Sequence, residues 1–411
     1  MTDAAKRLKP MSKVRHITLP GGFVAAAVKC GIKASGAEDL AIIAAEDQAA
    51  GAVVLTRNQV VGAPIAWCRK ALPKGYGPVR GIVINAGCSN VCTGKAGLRD
   101  AETMARDAAR RLGCEAHNVL VASTGIIGHR LPMAKVRKGI ADAAAGLGTR
   151  NDAAALRAIM TTDTREKSAV IQTRIGGKPV TLAGIVKGSG MIAPSMATMI
   201  GVITTDAAVS PAALHKALTC AVATTFNAIT VDSDTSTSDT VAVLASGCAG
   251  NRRIVAGSRD YGRFAKALAE LCGTLARAVV ADGEGATKTI DVAVTRARNS
   301  AEAEIAAKAV ANSPLFKCAM HGADPNWGRI ACALGKSAAR IDPQKLTINI
   351  GGATIFARGT GRKFDVAKVR RHLRSQQIAV ACDLGLGTGR YTAVTCDLSR
   401  EYVTINADYH T

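Results

Sequence analysis

The residues best suited to chemistry lie in the middle of the chain, where Lys187 to Thr205 reads KGSGMIAPSMATMIGVITT. An Ala197–Thr198 step follows a glycine-rich turn and precedes a β-branched run. A threonine hydroxyl that attacks the preceding carbonyl group can cut the backbone and free an α-amine on the same threonine. Gly188 and Gly190 permit backbone conformations that other residues reject. The pattern predicts self-cleavage between Ala197 and Thr198, with a strand that begins at Thr198.

Thr198 could then act as both nucleophile and base. A threonine hydroxyl reacts poorly until a neighbouring group accepts its proton. A free α-amine has a reference pKa of about 8, so the amine of Thr198 could accept that proton without a histidine. This pattern predicts acyl transfer through an ester on Thr198. The alternative is a strand threonine with no chemical role.

A second candidate is the triplet Ser123-Thr124-Gly125, which follows a short predicted strand at Val119–Ala122. Attack on a carbonyl group places negative charge on its oxygen, and preorganised donors stabilise that charge. Thr124 offers a hydroxyl and Gly125 an unhindered backbone N–H. Because such triplets are common in turns, the residues alone favour a turn.

Strands and helices are mixed along the whole chain, which predicts a layered α/β protein. Apolar residues at three- and four-residue spacing indicate helices, and alternation or short β-branched runs indicate strands. The predicted strands are Val53–Leu55, Gly81–Asn85, Val119–Ala122, Ile290–Val294 and Leu346–Ile350, and the predicted helices are Ala101–Leu112, Pro211–Ala223, Phe264–Val280, Ala301–Ala311 and a segment through Leu373 that Asp365 caps. Since no Gly/Ser/Pro-rich linker is evident, the predicted boundary is the cleavage point, which gives 1–197 and 198–411.

The charge of the chain is unusual, because 53 lysines and arginines against 31 acidic residues give a formal net charge of +22. A nucleic-acid-binding protein is one interpretation of this excess. Against it, the basic residues are dispersed, and aromatic residues that could stack on bases form only 3% of the chain. A basic surface that gathers small carboxylates is the simpler interpretation. No apolar run could span a bilayer and the N-terminus lacks a signal-peptide core, which predicts a cytoplasmic protein.

Three patterns could indicate a metal or cofactor, and each has a simpler interpretation. Twelve cysteines are scattered without CxxC pairs, which favours buried or semi-buried thiols over zinc ligands. Asp232, Asp234 and Asp239 lack the glycine and distal glutamate of a calcium loop, so we expect hydrogen-bonded turns. GLGTG at 385–389 precedes a strand pattern, whereas a dinucleotide site needs a helix there. We therefore expect no metal and no cofactor.

Nine ordered segments resemble the ornithine acetyltransferase (glutamate N-acetyltransferase) family of arginine biosynthesis over nearly the full chain. They are GIKASGAEDLAII at 31–43, TRNQVVGAPIAW at 56–67, STGIIG at 123–128, TTDT at 161–164, KGSGMIAPSMATM at 187–199, ITVDSDTSTSDT at 229–240, DGEGATK at 282–288, ANSPLFKCAMHGADPNWGRI at 311–330 and INADYHT at 405–411. Two departures are small: NAGCSN at 85–90 replaces a run closer to NSGNAN, and Ser238 stands where asparagine is commoner.

The resemblance implies transfer of acetyl from N2-acetyl-L-ornithine to L-glutamate by a ping-pong route through Thr198, with no metal or organic cofactor. It assigns the oxyanion hole to Thr124 and Gly125. The substrate contacts that it implies are Thr161, Lys187, Thr198, Glu284, Asn406 and Thr411. Thr162 stays an alternative to its neighbour Thr161.

Two of these contacts suit the charges of the substrates. Lys187 could pair with a carboxylate and Glu284 with an amine, although a solvated lysine and a turn glutamate are the simpler interpretations of the residues alone. His321 could be catalytic, but the resemblance favours a role in supporting the structure near the site. A role for Thr411 predicts that the INADYHT tail is tucked in, although chain ends normally fray.

The resemblance also implies an architecture. It is an α-β-β-α-like sandwich of the self-cleaving N-terminal-nucleophile type, in which both halves share one active site. The alpha chain (1–197) and the beta chain (198–411) would form a heterodimer that pairs again into a heterotetramer.

Two rival functions remain open at this point. A threonine-nucleophile aminopeptidase or amidase would use the same groups but pass the acyl group to water. A basic nucleic-acid-binding protein belongs to another class. The sequence also leaves open whether acetyl-CoA serves as a second acetyl donor.

Overall fold

The computed structural model describes residues 15–193 and 199–408. The strands in these ranges are β1 Phe23–Val28, β2 Leu40–Leu55, β3 Tyr76–Cys88, β4 Val119–Ile126, β5 Ser168–Ile175, β6 Lys178–Lys187, β7 Ile200–Thr205, β8 Ile229–Thr230, β9 Thr240–Ala245, β10 Thr289–Ala297, β11 Thr347–Ile350, β12 Ala353–Ala357, β13 Thr360–Gly361, β14 Gln377–Asp383 and β15 Gly389–Cys396. The α-helices are α1 Ala63–Ala71, α2 Gly94–Leu112, α3 Met133–Ala145, α4 Asp152–Ile159, α5 Pro211–Thr224, α6 Tyr261–Ala281, α7 Ser300–Ala311, α8 Pro314–His321, α9 Trp327–Gly335, α10 Val366–Leu373 and α11 Arg400–Asp408.

The first sheet is covered by helices on both faces. Its strand order is β4-β3-β2-β9-β7-β6-β5, and β1 pairs with β2. Successive residues of a strand point to opposite faces, and along β9 Ala242 and Leu244 belong to one apolar core while Val241 and Val243 belong to another. Residues of α1–α4 pack in the first core, and residues of α5 and α6 pack in the second.

The second sheet has the order β13-β12-β11-β14-β10-β15-β8. Ile290, Val292 and Val294 of β10 face a third core, which residues of α7–α10 complete. Helix α6 contacts strands of both sheets, and Val394 and Cys396 of β15 join the second core. The predicted layered α/β class is confirmed.

The ten elements predicted from the sequence are all present, although most extend beyond their predicted ends. The prediction of a turn at Ser123–Gly125 is wrong, because β4 continues through Ile126. Its parallel partner β3 is equally long and pairs Ala86 with Thr124 and Gly87 with Gly125. Pairing with a neighbouring strand, which the local sequence does not reveal, extends β4 past its expected end.

Other expectations have mixed outcomes. Five cysteines are exposed, so the expectation of buried or semi-buried thiols is wrong for Cys92, Cys220, Cys248, Cys318 and Cys332. Strand β7 begins at Ile200, whereas Thr198, where a strand start was predicted, lies outside the described residues. Among the described helices, none is long and apolar enough to cross a membrane.

Candidate active site

A cavity of about 320 Å³ brings together most of the predicted site residues. It is lined by Thr124, Gly125, Thr161, Lys187, Glu284 and Asn406, and further by Ser89, Ile127, Thr162, Gly190, Met191, Ser236, Thr237 and Ser238. We call Thr124, Gly125, Thr161 and Lys187 the first wall, and Glu284 and Asn406 the second wall. The lining residues come from both sides of the predicted cleavage point, as expected for two halves that share one site.

Glycine is required at position 125 of the first wall. Its φ is +121°, and a Cβ atom there would lie 2.4 Å from the carbonyl carbon of Gly87. Both values exclude a side chain. The adjacent Thr124 is buried, and its hydroxyl oxygen lies 3.2 Å from Nζ of Lys187. The end of β4 thus places a hydroxyl and an unhindered backbone amide at the cavity.

Lys187 ends β6 and is 2% exposed. Burial lowers the pKa of Lys187, and the carboxylate of Asp163 opposes that shift. The Asp163 carboxylate accepts hydrogen bonds from the backbone N–H of Gly188 (2.7 Å) and of Thr161 (3.0 Å). Burial alone would raise the pKa of Asp163, but Lys187 and Lys167 together lower it to about 2. One carboxylate therefore fixes two predicted substrate-contact segments.

A buried lysine links this carboxylate to the other half of the chain. Nζ of Lys167 lies 2.6 Å from Asp163 and 2.5 Å from Asp282, and all three side chains are at most 2% exposed. Asp282 also accepts hydrogen bonds from the N–H groups of Thr164 and Arg165. Because Asp282 stands two residues before Glu284, the ion cluster fixes the walls relative to each other.

In the part of the chain that the structure describes, the second wall is held by hydrogen bonds, without a buried ion cluster of its own. Nδ2 of Asn406 lies 2.9 Å from Oε2 of Glu284, and the N–H of Glu284 donates to the carbonyl of Ser189. A Cβ atom at Gly190 would lie 2.4 Å from the Glu284 carboxyl carbon, so glycine makes room for that carboxylate. Helix α11, which carries Asn406, buries none of its residues.

The segments that flank the predicted cleavage point are anchored by two aspartates. Asp232 accepts hydrogen bonds from the N–H groups of Met191 (2.5 Å) and Ile192 (2.8 Å). Asp239 accepts one from the N–H of Met199 (3.0 Å). Burial raises the pKa of Asp232 to about 6 and that of Asp239 well above its ordinary value, against these N–H contacts. The expectation of hydrogen-bonded turns is confirmed for Asp232, whose carboxylate also accepts a hydrogen bond from the N–H of Asp234. Asp239 instead holds the chain before β7.

Three predicted site residues, Ala197, Thr198 and Thr411, lie outside the described residues. Cleavage, the nucleophile and the terminal contact therefore stay predictions. Thr161 and Thr162 both line the cavity, so this alternative remains open.

His321 supports the structure close to the second wall, as expected. Its Nδ1 lies 2.7 Å from Asp397, whose carboxylate accepts hydrogen bonds from the N–H groups of Thr287 and Lys288. These residues follow Glu284 in the same loop. The pair thus fixes one side of the DGEGATK segment.

The sequence reasoning missed the residues that position the walls. Asp163, Lys167 and Asp282 form the buried ion cluster, yet only the two aspartates lie within segments that carried the family resemblance. A charged residue in a loop gives no sign of burial by itself. Their position in TTDT and DGEGATK was the available signal.

Comparison with known proteins identifies relatives over nearly the full chain. Residues 24–411 match the model of the ArgJ family. The arginine biosynthesis bifunctional protein ArgJ of Symbiobacterium thermophilum is 47% identical over 397 residues, which cover 96% of this chain and 98% of that protein. The protein of the same name from Geobacter sulfurreducens is 44% identical over 391 residues, which cover 95% of this chain and 99% of that one.

Among solved structures, the ornithine acetyltransferase of Mycobacterium tuberculosis complexed with ornithine is 40% identical. The match has a TM-score of 0.39 and covers 44% of this chain and 95% of that one.

The matched family model and the full-length relatives define the class of the protein: it is an amino-acid N-acetyltransferase of arginine biosynthesis. The chain belongs to the ArgJ family. The predictions of the family and of the enzyme class are confirmed.

Proposed function

We propose that this protein moves an acetyl group from N2-acetyl-L-ornithine to L-glutamate through an ester on Thr198. The observation that carries the proposal is the cavity in which Thr124, Gly125, Lys187, Glu284 and Asn406 meet. It offers donors for a carbonyl oxygen, a cation for a carboxylate and a carboxylate for an amine. N-acetylornithine and glutamate present these groups.

The proposed reaction has two half-reactions. The Thr198 hydroxyl attacks the acetyl carbonyl, its proton passes to the freed α-amine, and the amide bond to ornithine breaks as the leaving amine takes up a proton. The amine of glutamate then attacks the ester, which releases N-acetylglutamate and restores the hydroxyl. Thr124 and Gly125 would stabilise the oxyanion in each step.

The nucleophile would be produced by the chain itself. The same hydroxyl attacks the carbonyl of Ala197, the peptide bond is exchanged for an ester, and water opens that ester. The products are a carboxylate on Ala197 and a free amine on Thr198. We further propose that fragments 1–197 and 198–411 stay together, pair into a heterotetramer and work in the cytoplasm.

Two measurements test the proposal. Intact-mass spectrometry is expected to find two species that meet between Ala197 and Thr198, and light scattering is expected to give the mass of two copies of each. Ornithine release is then followed with and without glutamate. Release that depends on glutamate supports the transferase, whereas release at an equal rate without glutamate supports a threonine-nucleophile amidase. An intact chain with full activity contradicts the proposed nucleophile.

A further inference from the structure

The contact between Lys187 and Thr124 has a defined direction. Nζ of Lys187 lies 3.2 Å from Oγ1 of Thr124, and the two residues are 2% and 3% exposed. A lysine ammonium group can only donate hydrogen bonds, while a hydroxyl both donates and accepts. Oγ1 therefore accepts from Lys187, and the hydroxyl hydrogen of Thr124 remains to be donated elsewhere.

Burial lowers the pKa of Lys187, whereas the carboxylates of Asp163, Asp239 and Glu284 oppose this shift. Asp163 binds the N–H of Gly188, directly after Lys187, and Asp282 joins the same cluster through Lys167. Lys167 pairs with both carboxylates, and the negative charge of Asp163 also acts on Lys187. A buried charge is tolerated only when paired and hydrogen-bonded. The hydrogen bond from the Gly188 N–H to Asp163 fixes the end of β6, and with it Lys187, beside Thr124.

We infer that Lys187 is a positioning residue for the oxyanion hole, which orients and polarises the Thr124 hydroxyl so that its hydrogen is donated to the developing oxyanion. The inference rests on the proposed function and changes the role of Lys187. The sequence suggested a partner for the substrate carboxylate. A group that acts through Thr124 instead affects bond breaking more than substrate binding.

A double-mutant cycle tests this inference on the full, self-processed protein. Lys187→Met, Thr124→Val and the double variant are compared by kcat and KM for acetyl transfer, per cleaved chain as counted by intact-mass spectrometry. Loss of one oxyanion donor lowers kcat about 10²–10³-fold. We expect Lys187→Met to lower kcat at least about tenfold in the native background and to have little effect when Thr124 is already valine. The inference would be overturned if the fold loss in kcat of the double variant equalled the product of the losses of the two single variants.

Thr162 provides a matched control. It lines the same cavity, but of the described side chains only that of Thr124 accepts a hydrogen bond from Lys187. We expect the fold losses in kcat caused by Lys187→Met and by Thr162→Val to multiply when the two substitutions are combined. Losses that fail to multiply here as well would show general damage to the cavity and overturn the specific link to Thr124.

A second measurement needs only the Lys187→Met variant, so it decides the matter even if Thr124→Val is not processed. N-acetyl-1,4-diaminobutane is the acetylated donor without its α-carboxylate. If Lys187 acts through Thr124, native protein and variant differ in kcat on this analogue as much as on N-acetylornithine. If Lys187 pairs with the carboxylate, the difference disappears.

Failure of this inference can be distinguished from failure of the proposed function. Native protein that stays intact yet active, or that transfers no acetyl group, contradicts the proposed function. Cleaved, glutamate-dependent native protein with multiplying losses contradicts only the role of Lys187.

Discussion

The two walls of the cavity are built in different ways. Thr124 lies on β4, at the edge of the first sheet, and Lys187 lies on the interior strand β6. Both residues are almost fully buried and belong to a network that ends in a buried ion cluster. Glu284 lies in a loop and Asn406 on a helix that buries none of its residues. One hydrogen bond joins the side chains of these two residues.

The difference separates two tasks. Oxyanion stabilisation requires donors that do not reorganise during the reaction, and buried residues on sheet strands supply such donors. Recognition of an amine or carboxylate tolerates adjustment, because its contacts form as the substrate enters. We therefore expect changes in the first wall to affect stability and kcat, and changes in the second wall to affect mainly KM.

The largest effect is expected at Thr198, the proposed nucleophile, on which the roles proposed for both walls depend. Thr198→Ala removes the hydroxyl required for cutting and for the acyl ester, so we expect one intact chain without acetyl transfer. Intact-mass spectrometry and an ornithine-release assay check this. Thr205→Ala, at the far end of β7, is the matched control and should still be cut. If Thr198→Ala retained activity, Thr198 would not be the nucleophile, and the comparison of the two walls around it would lose its basis.

A pair of glycine substitutions contrasts the walls directly. In Gly125→Ala the new Cβ meets the backbone of Gly87 at a φ of +121°, and we expect a loss of more than about 3 kcal/mol in the free energy of unfolding.

In Gly190→Ala the new Cβ meets only the end of the flexible Glu284 side chain. We expect a loss below about 1 kcal/mol but a several-fold rise in KM. Denaturant unfolding and steady-state kinetics measure both variants. Equal losses of stability would contradict the distinction.

Asn406→Ala sharpens the account of the second wall. It removes the amide that lies 2.9 Å from Glu284 but no buried apolar contact. We expect stability to change by less than about 0.5 kcal/mol, KM to rise about tenfold and kcat to change little. Thr404→Ala, on the same helix and also exposed, is the control. A large fall in kcat for Asn406→Ala alone would place this residue with the first wall.

The last prediction concerns stability alone and Asp232, which holds the segment before the predicted cleavage point. Its pKa is raised from 3.8 to about 6 by burial, so between these values the folded protein binds a proton that the unfolded chain has lost. Its contribution to stability therefore falls as pH rises through this window, by roughly 2–3 kcal/mol.

The side chain of Asn in Asp232→Asn does not titrate, so the variant does not lose this stability as pH rises. We expect its melting temperature to rise relative to that of the native protein between pH 4 and pH 6, and the difference to be constant above pH 6. Scanning calorimetry at several pH values checks this. A difference that does not change with pH would contradict the assigned titration.

Much of the site was predictable because its chemistry is local in sequence. Short patterns indicated the site residues: a glycine before a reactive segment, a threonine followed by glycine, and a glutamate between two glycines. The turn predicted at Ser123–Gly125 failed because β3 extends beside β4. The hairpin of β5 and β6 was overlooked, although Gly176 and Gly177, with φ of +57° and +79°, are the glycine pair typical of its turn.

The sequence by itself determined the family, the enzyme class, the layered α/β architecture and the identity of the groups that line the cavity. Only the tertiary structure decided which of these groups touch. Four strands separate β4 from β6 in the sheet order, yet Lys187 reaches Thr124. Lys167 meets an aspartate more than a hundred residues away. A residue's type fixes what its side chain can donate or accept, whereas partner, burial and hence pKa depend on chain packing that brings distant segments together.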